Sequence, residues 1–350
     1  MPRILSIEEL LPLTDTIPLI DVRSPGEYEL AHIPGAFNIP IFDNDERREV
    51  GIKYKIGGKE NAVLLGLDFV GPKMSDFVRQ AKKIARHKKL LVHCWRGGMR
   101  SASMAWLFET AGLEVFVLKG GYKAYRRFIR EQFSRPAKMV VLGGYTGSGK
   151  TDILQHLQKQ GEQFLDIEGI ANHRGSVFGP LGQEPQPSNE QFENNLADAW
   201  RKFDFTKTIW VEDESRQLGQ CGIPDPLFQQ LRSAPLIKVS ISKEQRISRL
   251  VKEYGSFEAE KLKSRVERIK KRLGGKATND AIEALESGEL ATVADITLSY
   301  YDKAYDFGAS KRDQGNVFTL DLEDDSPAEN AEIIKNFCNQ KLEKIGTYLS

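Results

Sequence analysis

The sequence has few of the features that mark secreted, disulfide-bonded or membrane-spanning proteins. Its 350 residues include only three cysteines, which lie far apart and form no C-x-x-C pair. This spacing predicts neither a disulfide framework nor a cysteine-rich zinc site. No apolar run reaches about 18 residues, the length that a membrane-spanning helix needs, and the N-terminus lacks the cationic start and apolar stretch of a signal peptide. We therefore expect a protein of the reducing cytoplasm that is neither exported nor inserted into a membrane.

A strong charge of one sign is also missing. The formal net charge is +1, so no overall field attracts a polyanion, and a nucleic acid would have to bind to local basic segments. Residues 119–138 hold seven Lys or Arg and one acidic residue, and residues 261–276 hold eight Lys or Arg and one acidic residue. Either segment alone is equally well explained as a solvated helix face. The two together favour a polyanion that contacts both.

Short apolar runs alternate with amphipathic stretches, which is the pattern of an α/β fold with parallel sheets. In the first part of the chain the pattern predicts strands at residues 17–22, 90–93 and 115–118, and helices at residues 75–87 and 100–111. A helix-length segment stops at Pro136, and a new strand follows at residues 138–142. We therefore predict a first domain over residues 1–135 and a second over residues 136–350, whose last third is mostly helical.

Residues 93–101 read HCWRGGMRS and predict a reactive cysteine loop. A strand, two glycines and a helix from about Ser101 would place the Cys94 sulfur above backbone N–H groups at a helix N-terminus. Arg96 and Arg100 add positive charge, which favours the nucleophilic thiolate. We predict Cys94, Arg96 and Arg100 as catalytic residues. They fit two chemistries: a phosphatase, in which Cys94 attacks phosphorus and Arg100 grips the phosphate, and a sulfurtransferase, in which the cysteine carries sulfur.

A second loop, GGYTGSGKT at residues 143–151, follows a predicted strand, precedes a helix and matches the P-loop pattern. In such a loop, backbone N–H groups cradle a diphosphate, Lys150 reaches the terminal phosphate, and Thr151 is a candidate Mg²⁺ ligand. The predicted binding residues are Gly144, Gly147, Ser148, Gly149, Lys150 and Thr151. No motif that reads adenine or guanine is visible. The loop therefore indicates a diphosphate more firmly than a nucleoside triphosphate.

Two further segments carry polar side chains after this loop. Residues 166–176 read DIEGIANHRGS and open a long polar stretch, which we interpret as a substrate lid rather than an ordinary surface loop. The strand predicted at residues 208–212 ends in Glu212, Asp213 and Glu214. This run either supplies an acidic group for a metal or for water, or is a solvated strand end. The sequence gives no firm metal-ligand set, so no metal-binding residue is predicted.

The sequence upstream of the cysteine loop favours one of the two possible chemistries. Residues 19–28 (LIDVRSPGEY) and 32–40 (HIPGAFNIP) closely resemble the rhodanese domain. Asp21 and Arg23 are placed at a strand end where an ion pair can fix the loop, and the Pro-Gly pairs make turns. The resemblance therefore favours chalcogen transfer over phosphatase chemistry.

A rhodanese-like domain followed by a P-loop domain resembles the tRNA 2-selenouridine synthase family across nearly the whole chain. The motifs that carry this resemblance are the two loops, the DIEGIANHRGS segment and WVEDES at residues 210–215. The fold class it implies is α/β: a rhodanese-like parallel-sheet domain, then a P-loop NTPase-like α/β domain with a helical C-terminal part.

The resemblance implies an enzyme that replaces the sulfur of 2-thiouridine, at the wobble position of certain tRNAs, with selenium from selenophosphate. It also implies that the enzyme attaches a geranyl group to that sulfur from geranyl diphosphate. Both small molecules are co-substrates, no cofactor is tightly bound, Mg²⁺ is a candidate addition, and tRNA is the partner of a chain that we expect to be monomeric. In this interpretation Cys94 attacks selenophosphate or accepts its selenium, while Lys150 and Thr151 hold the diphosphate of geranyl diphosphate.

Three alternatives remain at this stage. The first is a P-loop kinase or ATPase with a regulatory rhodanese module. The second is a cysteine-dependent phosphatase. The third is a non-enzymatic RNA-binding module, against which the intact Cys94 and Lys150 argue.

Overall fold

The computed structural model of the chain describes residues 2–323 and 326–342. The chain folds into two compact units. The first unit runs from the N-terminus to Phe133 and includes residues 193–198, and the second contains the rest of the chain. Each unit has a parallel sheet and a hydrophobic core of its own, which confirms the predicted α/β class.

The sheet of the first unit is entirely parallel. Its strands are β1 (Arg3–Leu5), β2 (Leu19–Asp21), β3 (Phe37–Asn38), β4 (Lys89–His93) and β5 (Glu114–Leu118). They pair in the order β1-β5-β4-β2-β3. Asp21 is in register with His93 where β2 and β4 end. The carboxyl edge of the sheet, where parallel α/β folds bind ligands, therefore carries the start of the cysteine loop.

Helices connect these strands and cover the sheet. They are α1 (Ile7–Leu10), α2 (Pro25–Leu30), α3 (Asn44–Val70), α4 (Met74–Ile84), α5 (Met99–Thr110) and α6 (Gly121–Gln132), with 3₁₀ turns at Leu11–Asp15 and Gly71–Lys73. A capping box between Ser24 and Glu27 begins α2, with Pro25 at its first position. The buried core joins strand residues such as Val92 to helix residues such as Phe108.

The sequence pattern does not predict α3. The helix spans 27 residues and is interrupted at Gly58, whose φ of 76° is readily reached only by glycine. In the sequence, Gly57 and Gly58 resemble a turn. Exposed apolar side chains such as Ile56 and Leu67 also obscure the helical period. The hydrophobic pattern therefore does not predict this helix, because the kink and the exposed apolar side chains both disrupt the helical period.

The second unit also has a five-stranded parallel sheet. Its strands are β6 (Met139–Gly144), β7 (Gln163–Leu165), β8 (Ile209–Glu212), β11 (Leu236–Ser240) and β12 (Val317–Asp321), and a separate antiparallel hairpin joins β9 (Gln217–Leu218) to β10 (Cys221–Gly222). The sheet order is β12-β11-β6-β8-β7. Leu142 of β6 is in register with Glu212 at the end of β8. The strand before the P-loop is therefore central, and an acidic strand end lies next to it.

The helices of the second unit occupy most of its C-terminal third, as the sequence predicts. They are α7 (Lys150–Lys159), α8 (Ile167–Ala171), α9 (Asn189–Trp200), α10 (Asp225–Ser233), α11 (Lys243–Tyr254), α12 (Ala259–Arg268), α13 (Lys270–Leu273), α14 (Gly275–Glu286), α15 (Leu290–Ala309) and α16 (Pro327–Leu342), with a 3₁₀ turn at Gln314–Asn316. Residues 193–198 of α9 belong to the first unit. None of the helices in the described part of the chain has both the length and the apolar content needed to cross a membrane.

Two apolar cores hold this unit together. One lies around the sheet and includes Leu142, Leu154 and Trp210. The other is helical and packs Leu262 and Val266 of α12 against apolar residues of α14 and α15. Because the apolar side of α12 is held in this second core, the polar side of that helix has a fixed direction.

Candidate functional site

The cysteine loop joins β4 to α5, and hydrogen bonds from the first residues of α6 support it. Gly121 has a φ of 60°, and a Cβ there would lie only 2.2 Å from the carbonyl oxygen of Cys94. This close approach lets the N–H of Tyr122 donate to that oxygen at 2.8 Å, and the N–H of Lys123 donate to the oxygen of Trp95 at 3.0 Å. This support is not predicted from the sequence, although the adjacent glycines at 120 and 121 are a signal for it.

Cys94 is a buried thiol in a polar setting. Its Sγ lies 3.2 Å from the hydroxyl oxygen of Ser101. Burial alone would raise the pKa of the thiol. Hydrogen bonds from the Ser101 side chain and from the backbone N–H groups of Ser101 and Arg96, with the charge of Arg100, instead hold the pKa of Cys94 below its usual value. The loop therefore favours a thiolate, the nucleophilic form.

The two predicted loop arginines act differently from each other. The Arg96 side chain is exposed, and this residue supports Cys94 through its backbone N–H. Arg100 donates to Glu27 through Nη1 at 2.7 Å and through Nη2 at 3.4 Å. The structure therefore places Arg100 in an ion pair and at the same time close enough to lower the pKa of Cys94.

The ion pair predicted at the end of β2 is confirmed. Arg23 donates from Nη2 to Asp21 at 2.6 Å and to the carbonyl oxygen of Ala31 at 2.7 Å, and both charged side chains are fully buried. The Arg23 guanidinium also stacks 3.9 Å from the ring centre of Tyr122. Removing one partner would leave a buried charge unpaired, at a cost of about 3–5 kcal/mol. The Asp21–Arg23 ion pair therefore stabilises the structure around the loop, and we assign it no role in the chemistry.

The P-loop follows β6, and α7 starts at Lys150. Gly144 has a φ of 147°, and a Cβ there would approach the Val239 carbonyl oxygen to 2.7 Å. Gly147 and Gly149 also adopt positive φ angles, and Gly149 is the N-cap of α7. The backbone N–H groups of such a loop and of the N-terminus of the helix that follows point toward the same site. An anion is favoured at that site. The six predicted binding residues thus lie between the end of β6 and the first turn of α7.

Lys150 and Thr151 both contact the carboxylate at the end of β8. Lys150 Nζ lies 3.4 Å from Glu212 Oε1, and Thr151 Oγ1 donates to Glu212 Oε2 at 2.8 Å. Burial would lower the pKa of Lys150, but the charges of Glu212, Glu168 and Glu214 raise it above its usual value. The ammonium group is therefore charged and directed into an acidic setting.

Three glutamates meet beside Lys150. Ligand oxygens of Glu168, Glu212 and Glu214 lie within 4.8 Å of one another. Burial, followed by the charges of the neighbouring carboxylates, raises the pKa of both Glu168 and Glu214. Hard oxygen donors in this arrangement fit Mg²⁺, so these residues, with Thr151 alongside, are the ones that would hold it. The sequence suggested Glu212 for such a role but assigned no set, since Glu168 comes from a different element.

A cleft of about 1710 Å³ opens over the P-loop, entirely within the second unit. His173 and Arg174 from the predicted lid line it. Arg174 is ion-paired with Glu253. Asp166, by contrast, caps α8 by accepting the N–H of Gly169 at 2.8 Å. The polar segment is thus divided between lining the cleft and building a helix start, and the lid interpretation stays a prediction.

A small apolar cavity of about 50 Å³ adjoins this cleft. It shares Thr146 of the P-loop, and also Leu250, Tyr254 and Tyr301, with the cleft lining. Its remaining lining is mostly aliphatic and includes Val293, Leu298, Ala294 and Leu290. The space is about that of four water molecules. An apolar group attached to a ligand of the P-loop would therefore meet mostly aliphatic side chains in this cavity.

The two basic segments differ in their surroundings. In the first, Arg126 is buried and donates to Asn194 Oδ1 at 2.7 Å. It also pairs with Glu193, which Arg130 contacts at 3.3 Å. Part of this segment is therefore structural, which corrects the prediction that all of it is available to a polyanion. In the second, Arg265, Arg268, Lys271 and Arg272 line the cleft.

Comparison with known proteins gives a consistent picture for both units. Residues 137–329 match the family model described as the tRNA 2-selenouridine synthase AAA domain, and residues 6–128 match the rhodanese-like domain. A protein of Marinobacter nauticus named tRNA 2-selenouridine synthase is 33% identical over 86% of this chain and 90% of its own length. A Sulfurovum protein of the same name is 37% identical over 83% and 88%. One from Shewanella pealeana is 34% identical over 88% and 93%.

Proposed function

Because this chain belongs to the tRNA 2-selenouridine synthase family, we propose that it replaces the sulfur of a tRNA 2-thiouridine with selenium through an S-geranyl intermediate. Family membership makes the chain an enzyme of tRNA modification, which decides against the kinase, phosphatase and non-enzymatic alternatives. Selenophosphate and geranyl diphosphate are the proposed co-substrates. The free thiols of Cys94, Cys221 and Cys338 fit the reducing cytoplasm that this chemistry needs.

The first half-reaction is assigned to the P-loop cleft. The sulfur of 2-thiouridine attacks C1 of geranyl diphosphate, a C–S bond forms, the C–O bond breaks, and diphosphate leaves while N3 of the base loses its proton. Lys150 and the N-terminus of α7 stabilise the charge that develops on the diphosphate. The carboxylates of Glu212 and Glu214 are candidate acceptors of the proton. Mg²⁺, if held by these carboxylates, would further neutralise the leaving group.

The apolar cavity beside the loop is the observation that carries this assignment. In a bound nucleoside triphosphate, the ribose and the base would extend away from the phosphates. Both groups need polar partners in the protein. The cavity instead offers aliphatic walls such as Leu298 and Val293, next to Thr146 of the P-loop. It suits the branched end of a hydrocarbon chain, while the wider cleft holds the rest.

The second half-reaction is assigned to the cysteine loop. Selenophosphate already carries selenium at the oxidation level of selenide, so the redox-neutral step is attack by the Cys94 thiolate on phosphorus. An S–P bond forms, the P–Se bond breaks, and selenide is released. Selenide then attacks C2 of the S-geranyl base, a C–Se bond forms, and geranylthiolate leaves. Water hydrolyses the S–P bond and regenerates Cys94. We assign the phosphate oxyanion to the loop N–H groups and to Arg100, whose charge is shared with Glu27.

One assay tests the proposal. The purified full chain is incubated with thiolated tRNA, selenophosphate and geranyl diphosphate, and the nucleosides are analysed by mass spectrometry. We expect S-geranyl-2-thiouridine when selenophosphate is omitted and 2-selenouridine when all components are present. Neither product, from a folded sample that binds tRNA, would overturn the proposal.

A further inference from the structure

We infer that one wall of the P-loop cleft is the docking surface for the tRNA strand that carries the target base. This wall, called here the basic wall, consists of Arg265, Arg268, Lys271 and Arg272 on α12 and α13. The inference rests on the proposed function, because it places the RNA beside the diphosphate of the alkyl donor.

The charge balance of the cleft supports an anionic ligand larger than a diphosphate. Eleven Lys or Arg and six Asp or Glu line it, although the whole chain carries a net charge of only +1. Several of the acidic residues are already paired within the cleft: Asp152 with Arg249, Glu253 with Arg174 and Glu212 with Lys150. The excess positive charge therefore resides mainly on the basic wall.

The basic wall differs from the rest of the cleft in the pairing of its arginines. In the described parts of the chain, neither Arg265 nor Arg268 forms an ion pair with a carboxylate. Partial burial and the nearby charge of Arg268 lower the pKa of Arg265. Two like charges held together without a neutralising partner favour binding of a phosphate between them.

Two lysines nearer the start of the same basic segment provide a contrast. Lys261 lies 3.2 Å from Glu258, and Lys263 lies 2.7 Å from Glu286. Neither lysine lines the cleft. Packing of Leu262 and Val266 in the helical core fixes the orientation of α12, so Arg265 and Arg268 stay at the cleft while these lysines stay paired outside it. From the sequence alone, all the basic residues of this segment are predicted to form one patch.

Aromatic rings complete the surface and favour a single strand of RNA. Tyr300 and Tyr301 of α15 line the same cleft, with their ring centres 5.1 Å apart. The Tyr300 hydroxyl accepts a hydrogen bond from Arg272 at 3.2 Å, which links the rings to the basic wall. A cationic groove with aromatic side chains is the usual surface for unpaired nucleotides, whose bases stack on the rings. The paired bases of a duplex are not free to stack in this way.

Two double variants test the inference. In Arg265→Gln/Arg268→Gln the basic wall loses two charges, and in Lys261→Gln/Lys263→Gln the same helix loses two charges outside the cleft. Binding of thiolated tRNA is measured by fluorescence anisotropy over a range of salt concentrations. For the first variant we expect affinity to fall about tenfold or more, and the slope of log K against log salt to decrease by about 1.4, since each single-strand phosphate contact contributes about 0.7. We expect the second variant to bind within about twofold of the wild type.

The outcomes separate this inference from the proposed function. If the wild type makes no modified nucleoside, the proposed function fails, whatever the binding data show. If the wild type is active and the Arg265→Gln/Arg268→Gln variant binds tRNA as tightly as the wild type with an unchanged salt slope, the inference is wrong. Should that variant fail to fold, ultraviolet cross-linking of wild-type protein to tRNA containing 4-thiouridine replaces it. Cross-links within residues 259–273 or at Tyr300 support the inference, and cross-links confined to other segments overturn it.

Discussion

Arg100 is bound to Glu27, 73 residues earlier in the chain, by a hydrogen bond of 2.7 Å from Nη1 to Oε2. Arg47 adds a weaker contact of 3.7 Å to the same carboxylate. The charge that the sequence assigned to phosphate binding is therefore partly neutralised before any substrate arrives. Glu27 thus modulates the positive potential at Cys94.

Changing Glu27→Gln should lower the pKa of Cys94. Glutamine retains an oxygen that can accept the N–H of Ser24, as Glu27 does at 3.1 Å, but it no longer neutralises Arg100. We expect the midpoint of Cys94 alkylation by iodoacetamide to fall by about half a pH unit to one unit. Arg100→Gln should move it in the opposite direction. Asp76→Asn, which breaks an exposed ion pair with Arg79, serves as the control, and a higher midpoint in Glu27→Gln would contradict this view of the loop.

Replacing Cys94→Ala should stop selenium incorporation and leave geranylation intact. The thiolate is the proposed nucleophile of the second half-reaction only, so nucleoside mass spectrometry should detect S-geranyl-2-thiouridine but no 2-selenouridine. Cys221→Ala is a suitable control because burial raises the pKa of Cys221 to about 11, which leaves that thiol unreactive. Loss of both products in Cys94→Ala would show that the two half-reactions are not divided as proposed.

Replacing Lys150→Ala should slow geranylation by about a hundredfold to a thousandfold, the usual effect of removing one group that stabilises developing negative charge. Selenation of tRNA that has already been geranylated should proceed at the wild-type rate. Lys159→Ala, at an exposed position of the same helix, should change neither rate. Equal loss of both steps in Lys150→Ala would argue for a shared role of the P-loop.

Filling the apolar cavity should change the chain length that the enzyme accepts. Ala294 is buried and lines the cavity, so Ala294→Phe should raise KM for geranyl diphosphate by about tenfold or more, with a smaller effect on the shorter dimethylallyl diphosphate. Ala304 lies on the same helix, exposed and lining only the cleft, and Ala304→Phe should retain the wild-type preference. Alkylation kinetics with the two donors measure this. An unchanged preference in a folded Ala294→Phe variant would remove the cavity from the donor site.

Glu168 should make stability depend on pH. Burial and the neighbouring carboxylates raise its pKa in the folded state to about 11, so between about pH 5 and about pH 11 the folded chain holds a proton that the unfolded chain has lost. Stability therefore falls as pH rises through this window. Thermal unfolding of Glu168→Gln should show a weaker pH dependence than the wild type, and a higher Tm at about pH 8. Identical pH dependence in the two proteins would mean that Glu168 titrates normally.

The sequence by itself determined the two loops and the type of sheet that carries them. The residues around Cys94 and around Lys150 are contiguous, and their conformation depends mainly on local glycines and on the helix that follows each loop. Alternating apolar and amphipathic segments were sufficient to predict parallel α/β architecture. The edge strand β12, half-exposed along much of its length, and the kinked helix α3 gave no such signal.

Only the tertiary structure decided which distant side chains meet. Glu168 joins Glu212 and Glu214 because α8 begins just after β7, and the parallel neighbours β7 and β8 end at the same edge of one sheet. Glu27 reaches Arg100 for a similar reason in the other unit. A helical period shows which side of α12 is apolar, but it does not show what its charged residues face. Packing of Leu262 and Val266 settles that point by turning Arg265 and Arg268 toward the cleft. The same limit explains Arg126, which the sequence counted with the basic surface and the fold buries against Asn194.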